Sequence, residues 1–221
     1  MPPDQIMAPD LVLAFDTAAA HCAAALLSGT SVLSERLEPM QKGQAERLFP
    51  LLEEMLAEAG ATWRDLAVLG VGIGPGNFTG VRISVAAARG LALSLGIPAV
   101  GVSSLQAMVH GVAGVSVASL DARRDGLYVQ VFDGLGQQPV LCDLAHLPPI
   151  PARAAPVCIG YRAAEIAGLC GGSVGGSRFA LPVAMAHIAG LRRHSAPRPA
   201  PLYLRSADAA PSSDPPPVIL P

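Results

Sequence analysis

The chain has little charge, few aromatic rings and almost no lysine: 14% of its 221 residues are charged, 4% are aromatic, and Lys42 is the only lysine. Each shortage excludes something. A lysine nucleophile is excluded everywhere but at Lys42, and the scarcity of rings leaves few platforms on which single-stranded nucleic acid stacks. A net charge of −2 supplies no broad basic face, so any work on nucleic acid needs a partner. The four cysteines, Cys22, Cys142, Cys158 and Cys170, lie far apart, with no Cys-x-x-Cys and no neighbouring histidine pair, and read as reduced, buried thiols. His21, His110, His146, His187 and His194 show no metal-ligand spacing, and no serine sits in a nucleophile elbow. No charged region leads into an apolar one across Met1 to Pro9, and the longest apolar stretch, Ile83 to Val100, is broken by Arg89 and Pro98. The expectation is a soluble cytoplasmic protein with no membrane span.

Hydrophobic residues make up 51% of the chain, enough to build a real core in one large domain or two small ones. Leu11 to Phe15 reads as a strand ending in Asp16-Thr17, His21 to Leu27 as its hairpin partner and Val32 to Glu38 as a third strand. The period then changes. Leu48, Leu51, Leu52, Met55, Leu56 and Ala59 recur at helical spacing, with Pro50 near enough to the start to be tolerated. A strand at Leu66 to Val71, a helix from Thr79 to about Leu95 closed by Gly96, and a strand at Ile97 to Val102 follow. Three strands, a helix and a parallel crossover make a mixed α/β plan. Further along, Ser104 to Val112 reads as a short helix, Val115 to Leu120 and Leu127 to Phe132 as strands, and Val183 to Arg193 as a last helix. The stretch from about Pro139 to Ser177 is less regular. This divides the chain into an extension at 1–9, a first lobe at 10–112, a smaller second lobe at 113–205, and a Pro-rich tail at 206–221 too polar to pack.

The densest motif is Gly72-Ile73-Gly74-Pro75-Gly76-Asn77-Phe78-Thr79-Gly80-Val81-Arg82, between the fourth strand and the second helix. Glycines let the backbone turn sharply there and leave helix N-terminal N–H groups facing a cleft where an anion fits. A Walker A loop is excluded, because Gly80 is followed by Val81 and Arg82 instead of Lys and Ser or Thr. A dinucleotide fingerprint fits poorly: Thr79 holds the third glycine position, and the strand ending at Val102 runs into Ser103-Ser104 where a ribose-binding acid should stand.

Three stretches carry a resemblance to the bacterial TsaB (YeaZ) family of tRNA threonylcarbamoyladenosine biosynthesis. They are Leu13-Ala14-Phe15-Asp16-Thr17, Gly74 through Arg82, and Gly90-Leu91-Ala92 leading to Pro98 and Gly101-Val102-Ser103-Ser104-Leu105. Glu46 to Pro50, Asp121-Ala122-Arg123 with Tyr128, and Pro201-Leu202-Tyr203-Leu204-Arg205 add to them, while Asn77 stands where the family usually has serine. The resemblance spans nearly all of residues 11 to 205 and is weakest from about 135 to 180. It implies an actin-like ATPase (ribonuclease H-like) fold of two lobes with mixed sheets flanked by helices. It also implies a noncatalytic scaffold that pairs with the catalytic subunit TsaD, or with itself when TsaD is absent, and works with the ATPase TsaE. In that setting tRNA is met only through the complex, ATP and Mg²⁺ belong to the assembled complex, and no cofactor is assigned to this chain alone. TsaD holds its metal with a His-x-x-x-His pair, and Ser104 and Met108 occupy those two positions here; neither replaces an imidazole on a transition metal. The alternatives are a stand-alone actin-like ATPase or kinase, or a peptidase.

Candidate sites follow from both lines of reasoning. Asp16, Thr17, Gly74, Gly76 and Thr79 form a possible nucleotide or anion cleft. Against this, Asp16 also suits an Asx-type turn, and Ala18, Ala19 and Ala20 after it offer none of the groups that grip phosphate, which favours the turn. Arg82 and Arg123 suit a phosphate or, preferably, surface salt bridges. Gly80, Ser84 and Ala88 give the second helix a smooth ridge, and with Leu48, Leu52 and Met55 of the first helix they form a candidate partner interface, the alternative being packing within the lobe.

Overall fold

The computed structural model describes residues 11–151 and 155–205. The expected extension at 1–9 and the tail at 206–221 lie outside the described residues. The chain opens with β1 (Leu11–Asp16), β2 (His21–Ser28) and β3 (Ser31–Pro39), an antiparallel meander, and continues through α1 (Gln44–Glu58), β4 (Leu66–Gly72), α2 (Phe78–Leu95), β5 (Ala99–Val102) and α3 (Ser104–Met108). A second set follows: β6 (Ser116–Asp121), β7 (Leu127–Phe132), β8 (Val140–Cys142), β9 (Val157–Gly160), α4 (Ala163–Cys170), β10 (Ser173–Val174) and α5 (Leu181–Arg192). Four of these, β8, β9, α4 and β10, fill the stretch that sequence alone left irregular.

The first sheet runs β3-β2-β1-β4-β5 and the second β10-β9-β6-β7-β8. Both have the same plan. In each, an antiparallel three-strand meander starts at the central strand, and two further strands join its other side in parallel. This is the actin-like, two-sheet mixed architecture that the resemblance implied.

β1 is buried at every position, because helices cover both faces of its sheet. Leu11, Leu13 and Phe15 point toward α1 and α2, while Val12 and Ala14 point toward α5, the alternation a strand imposes. On the first of those faces α1 buries Leu48, Leu51, Leu52, Met55 and Leu56, the stripe that the helical spacing predicts. Each such side chain removed from water contributes roughly 1.5–3 kcal/mol. Arg47 ties α1 to the edge strand β3 through a two-point ion pair with Glu38 at 2.7 Å and reaches Glu54 as well, holding both carboxyls below their ordinary range by hydrogen bonding. Burial pushes the Cys22 thiol up to about 11 and that of Cys158 to about 12. Cys142 and Cys170 are only half-buried, a correction to the expectation of four buried thiols.

The helices that follow the two sheets are exchanged. α5 is apolar nearly all round, with Val183 to Ala186, Ile188 and Ala189 buried, and it packs on β1, β2, β4 and β5 of the first sheet. Gly70 permits the approach: a Cβ there would lie 2.9 Å from Ala14 Cβ and 3.1 Å from Ala189 Cβ. α3 goes the other way, placing Leu105, Met108 and Val109 against Ala118, Tyr128 and Ile159 of the second sheet. The expected boundary between residues 112 and 113 therefore does not divide the packing, since each half of the chain closes the other half's sheet.

Candidate functional site

The glycine-rich turn packs directly on the end of β1. Thr17 is fully buried, and its Oγ1 donates to the Gly80 carbonyl at 2.6 Å. The Asn77 N–H donates to the Ala18 carbonyl at 2.6 Å. A Cβ at Gly80 would collide with the Thr17 carbonyl oxygen, and one at Gly76 with that of Ala18. Glycine stands at both positions because two backbones touch there. Gly74, at φ +94°, turns the chain into a cis peptide with Pro75.

Asn77 caps α2. Its Oδ1 accepts from the Thr79 N–H at 2.9 Å and the Gly80 N–H at 3.1 Å, and its carbonyl accepts from the Val81 N–H. The N–H groups of Asn77, Thr79 and Gly80, three of the four free donors of this helix end, are thus already used. The structure brings Asp16, Thr17, Gly76 and Gly80 together, but the hydroxyl and the N–H groups are spent internally, and Thr79 lies on the exposed rim. This donor set does not fit a nucleotide phosphate.

Asp16 does something the sequence did not suggest. Its carboxylate makes no Asx turn; fully buried, it takes a 2.8 Å hydrogen bond between Oδ2 and His21 Nε2 across the hairpin. Oδ1 is buried without a partner beside Gly72, where any Cβ would strike it. The signal was the five-residue separation of Asp16 and His21 across a tight hairpin, which places the two side chains on the same end of adjacent strands.

The candidate partner residues are corrected by burial. Leu48, Leu52, Met55, Gly80, Ser84 and Ala88 all lie inside their own lobe, with Ser84 Oγ donating to the Gly72 carbonyl at 2.9 Å. The opposite face of α2 is open. By length and composition α2 is apolar enough to cross a bilayer, yet only 28% of its 18 residues are buried. Outward it presents Phe78, Arg82, Ala86, Arg89, Gly90 and Leu93, the last 86% exposed. Arg82 forms no salt bridge among the described residues: its guanidinium lies 3.8 Å over the Phe78 ring, and its Nε donates to Tyr203 Oη at 2.9 Å. That contact fastens the segment after α5 to the turn, together with the Leu202 N–H donating to the Ile73 carbonyl at 2.8 Å. The Arg123 guanidinium likewise forms no salt bridge among the described residues.

Between α3 and α5, His110 and His187 lie with ring centroids 5.7 Å apart, packed by Phe179 and faced by Arg178. His187 Nε2 is buried without a partner. Burial, then the neighbouring His187 and Arg178, hold the His110 imidazole below its ordinary value of 6.5. A depressed imidazole resists protonation in the folded state, so its contribution to stability is full above about pH 6.5 and is lost as pH falls below that value toward the folded-state one. Melting temperatures should therefore drop between pH 7 and pH 5, and the slope should flatten in His110→Gln. An unchanged slope in that variant would assign the acid sensitivity elsewhere.

Residues 37–144 match the TsaD family, described as tRNA N6-adenosine threonylcarbamoyltransferase. The chain is 36% identical over 122 residues to the tRNA threonylcarbamoyladenosine biosynthesis protein TsaB of Escherichia coli, covering 53% of this chain and 52% of that protein, about half its length. It is 34% identical over 212 residues to an uncharacterized protein of Mycobacterium tuberculosis, covering 90% of this chain and 94% of the relative. Among solved structures, an uncharacterized Pseudomonas aeruginosa protein with similarity to peptidase YEAZ superposes with a TM-score of 0.71 at 25% identity, over 89% of this chain and all of that one (100%).

Proposed function

The chain belongs to the TsaB/YeaZ family, and from that premise we propose that it serves tRNA threonylcarbamoyladenosine biosynthesis as a noncatalytic partner of a TsaD-type transferase. The observation that carries this reading is α2, an apolar helix whose outer face is left uncovered by its own lobe. Ala86 and Gly90, one turn apart, let a partner helix approach closely, and Leu93 and Phe78 supply apolar area to bury. Two features favour a scaffold over a stand-alone ATPase: the Asn77 cap holds the N–H groups a phosphate would take, and Thr17 spends its hydroxyl on Gly80. The Ser104 and Met108 identities favour it over a metal-dependent catalyst. In this reading ATP, Mg²⁺ and TsaE act in the assembled cytoplasmic complex, tRNA is met only there, and the same α2 face joins two copies of the chain when TsaD is absent.

The test is reconstitution of threonylcarbamoyl transfer from threonylcarbamoyl-AMP to tRNA with purified TsaD and TsaE, with and without this protein, alongside light scattering for a complex with TsaD. Modification that depends on the chain, which is inert alone, is the expected result. Equal transfer without it, or ATP hydrolysis by the chain alone, would overturn the reading.

A further inference from the structure

An open cavity of about 680 Å³ lies beside the β6–β7 corner, away from the glycine turn and unused by the reading above. Arg124 and Arg205 line it from two distant parts of the chain, together with His146, and Leu141 and Pro148 supply apolar wall. Of its two acids, Asp143 accepts from His146 Nδ1 at 2.8 Å and from the Ala145 and His146 N–H groups. Arg124 and Arg205 have no such partner among the described residues, whereas Arg36, Arg47 and Arg162 are all paired. Two guanidinium groups without a salt bridge among the described residues thus line one cavity, beside Asp125 and Asp143.

The corner that presents Arg124 is built at a cost. Arg123, Arg124 and Asp125 are consecutive non-glycine residues in the left-handed region, at φ +62°, +50° and +60°. The turn is locked by the Ala122 N–H donating to the Gly126 carbonyl, the Gly126 N–H to the Arg123 carbonyl, and the Arg123 N–H to Asp121 Oδ1 at 2.7 Å. Strain of this kind persists where the surroundings over-determine it, and it gathers at sites that must present a side chain in one direction.

We propose that this cavity binds a phosphate group carried on a nucleotide, either free or within an RNA strand, with Arg124 and Arg205 as its ligands and the apolar wall against the sugar. Guanidinium forks match phosphate oxygens two at a time, which suits a pair of arginines better than a single point charge. The site requires no partner protein, so it stands or falls separately from the scaffold reading.

The test uses the full chain and two probes, adenosine 5′-monophosphate and a labelled unstructured RNA oligonucleotide, at low and moderate salt. The variants are the double Arg124→Gln and Arg205→Gln and, as a control, Arg198→Gln, an exposed arginine that does not line the cavity. Melting curves verify that all are folded. Binding weakened about tenfold or more in the double variant and unchanged in the control is expected. For RNA, loss of two phosphate contacts should also lower the salt slope by about 1.4. Weakening of both probes assigns a free nucleotide, and weakening of RNA alone assigns the strand. Binding equal in wild type and double variant, or no binding of either probe at millimolar concentration, overturns the proposal.

Discussion

Gly80→Ala should lower the melting temperature by roughly 2–12 °C, while Gly90→Ala in the same helix should raise it by about 1–4 °C. Alanine is favoured over glycine inside a helix by up to about 1 kcal/mol, so propensity predicts a gain at both positions. Contacts reverse the sign at one of them. A Cβ at Gly80 would run into the Thr17 carbonyl oxygen, which is backbone at the buried end of β1 and cannot swing aside. Relief requires shifting α2 away from β1, which also breaks the Thr17 Oγ1 hydrogen bond to the Gly80 carbonyl. Overpacking of about 1–3 kcal/mol and a lost hydrogen bond of about 1 kcal/mol outweigh the propensity gain, for a net loss of about 1–3 kcal/mol. At Gly90 an added Cβ meets nothing within 4 Å, so propensity acts alone. Thermal melts of the two variants decide the matter, and a Gly80→Ala protein that melts at or above wild type would remove the close-contact account of this turn.

The second large effect concerns binding. Ala86→Arg together with Leu93→Arg should leave the fold within about 0.5 kcal/mol of wild type, since both side chains face solvent. Association with TsaD should weaken more than about a hundredfold, because two charges would be carried into a helix–helix contact. The arginine introduced in place of Ala86 would also crowd Arg82 and Arg89, each one turn away. Arginine in place of Leu52 or Ala88 makes the wrong experiment. Both residues are 0% exposed, and a charge there unfolds the lobe before it can report on a partner. Normal TsaD binding by the folded surface variant would remove the α2 face from the scaffold reading.

The difference between these two sets of positions marks where sequence reasoning stopped. α1 was legible because its apolar residues occupy one stripe and its outer face carries Glu46, Glu53, Glu54 and Glu58. α2 was not, because small and apolar residues occur all round it. Gly80, Ser84 and Ala88 form one ridge at four-residue spacing and Ala86 and Gly90 another, and spacing cannot say which ridge meets the sheet. The residues of the candidate cleft are used internally for a related reason. Asp16, Thr17 and Asn77 are residue types that suit phosphate and Mg²⁺ sites, yet each found its partner within the chain, at His21, at Gly80 and at the first-turn N–H groups.

By itself the sequence determined the strand and helix types outside the stretch from β8 to β10, the opening meander, the glycine turn between β4 and α2, and the family. Those follow from local rules: the side-chain period of each element, the conformational freedom of glycine, and the motif those residues spell. Tertiary structure alone decided that α3 and α5 are exchanged between the sheets, that both sheets repeat one strand order, which side of α2 is left open, and that Arg124 and Arg205 share a cavity. Each of these depends on contacts between residues far apart in the chain, and burial of apolar area is non-directional, so an apolar helix such as α5 carries no local signal for which sheet it will cover.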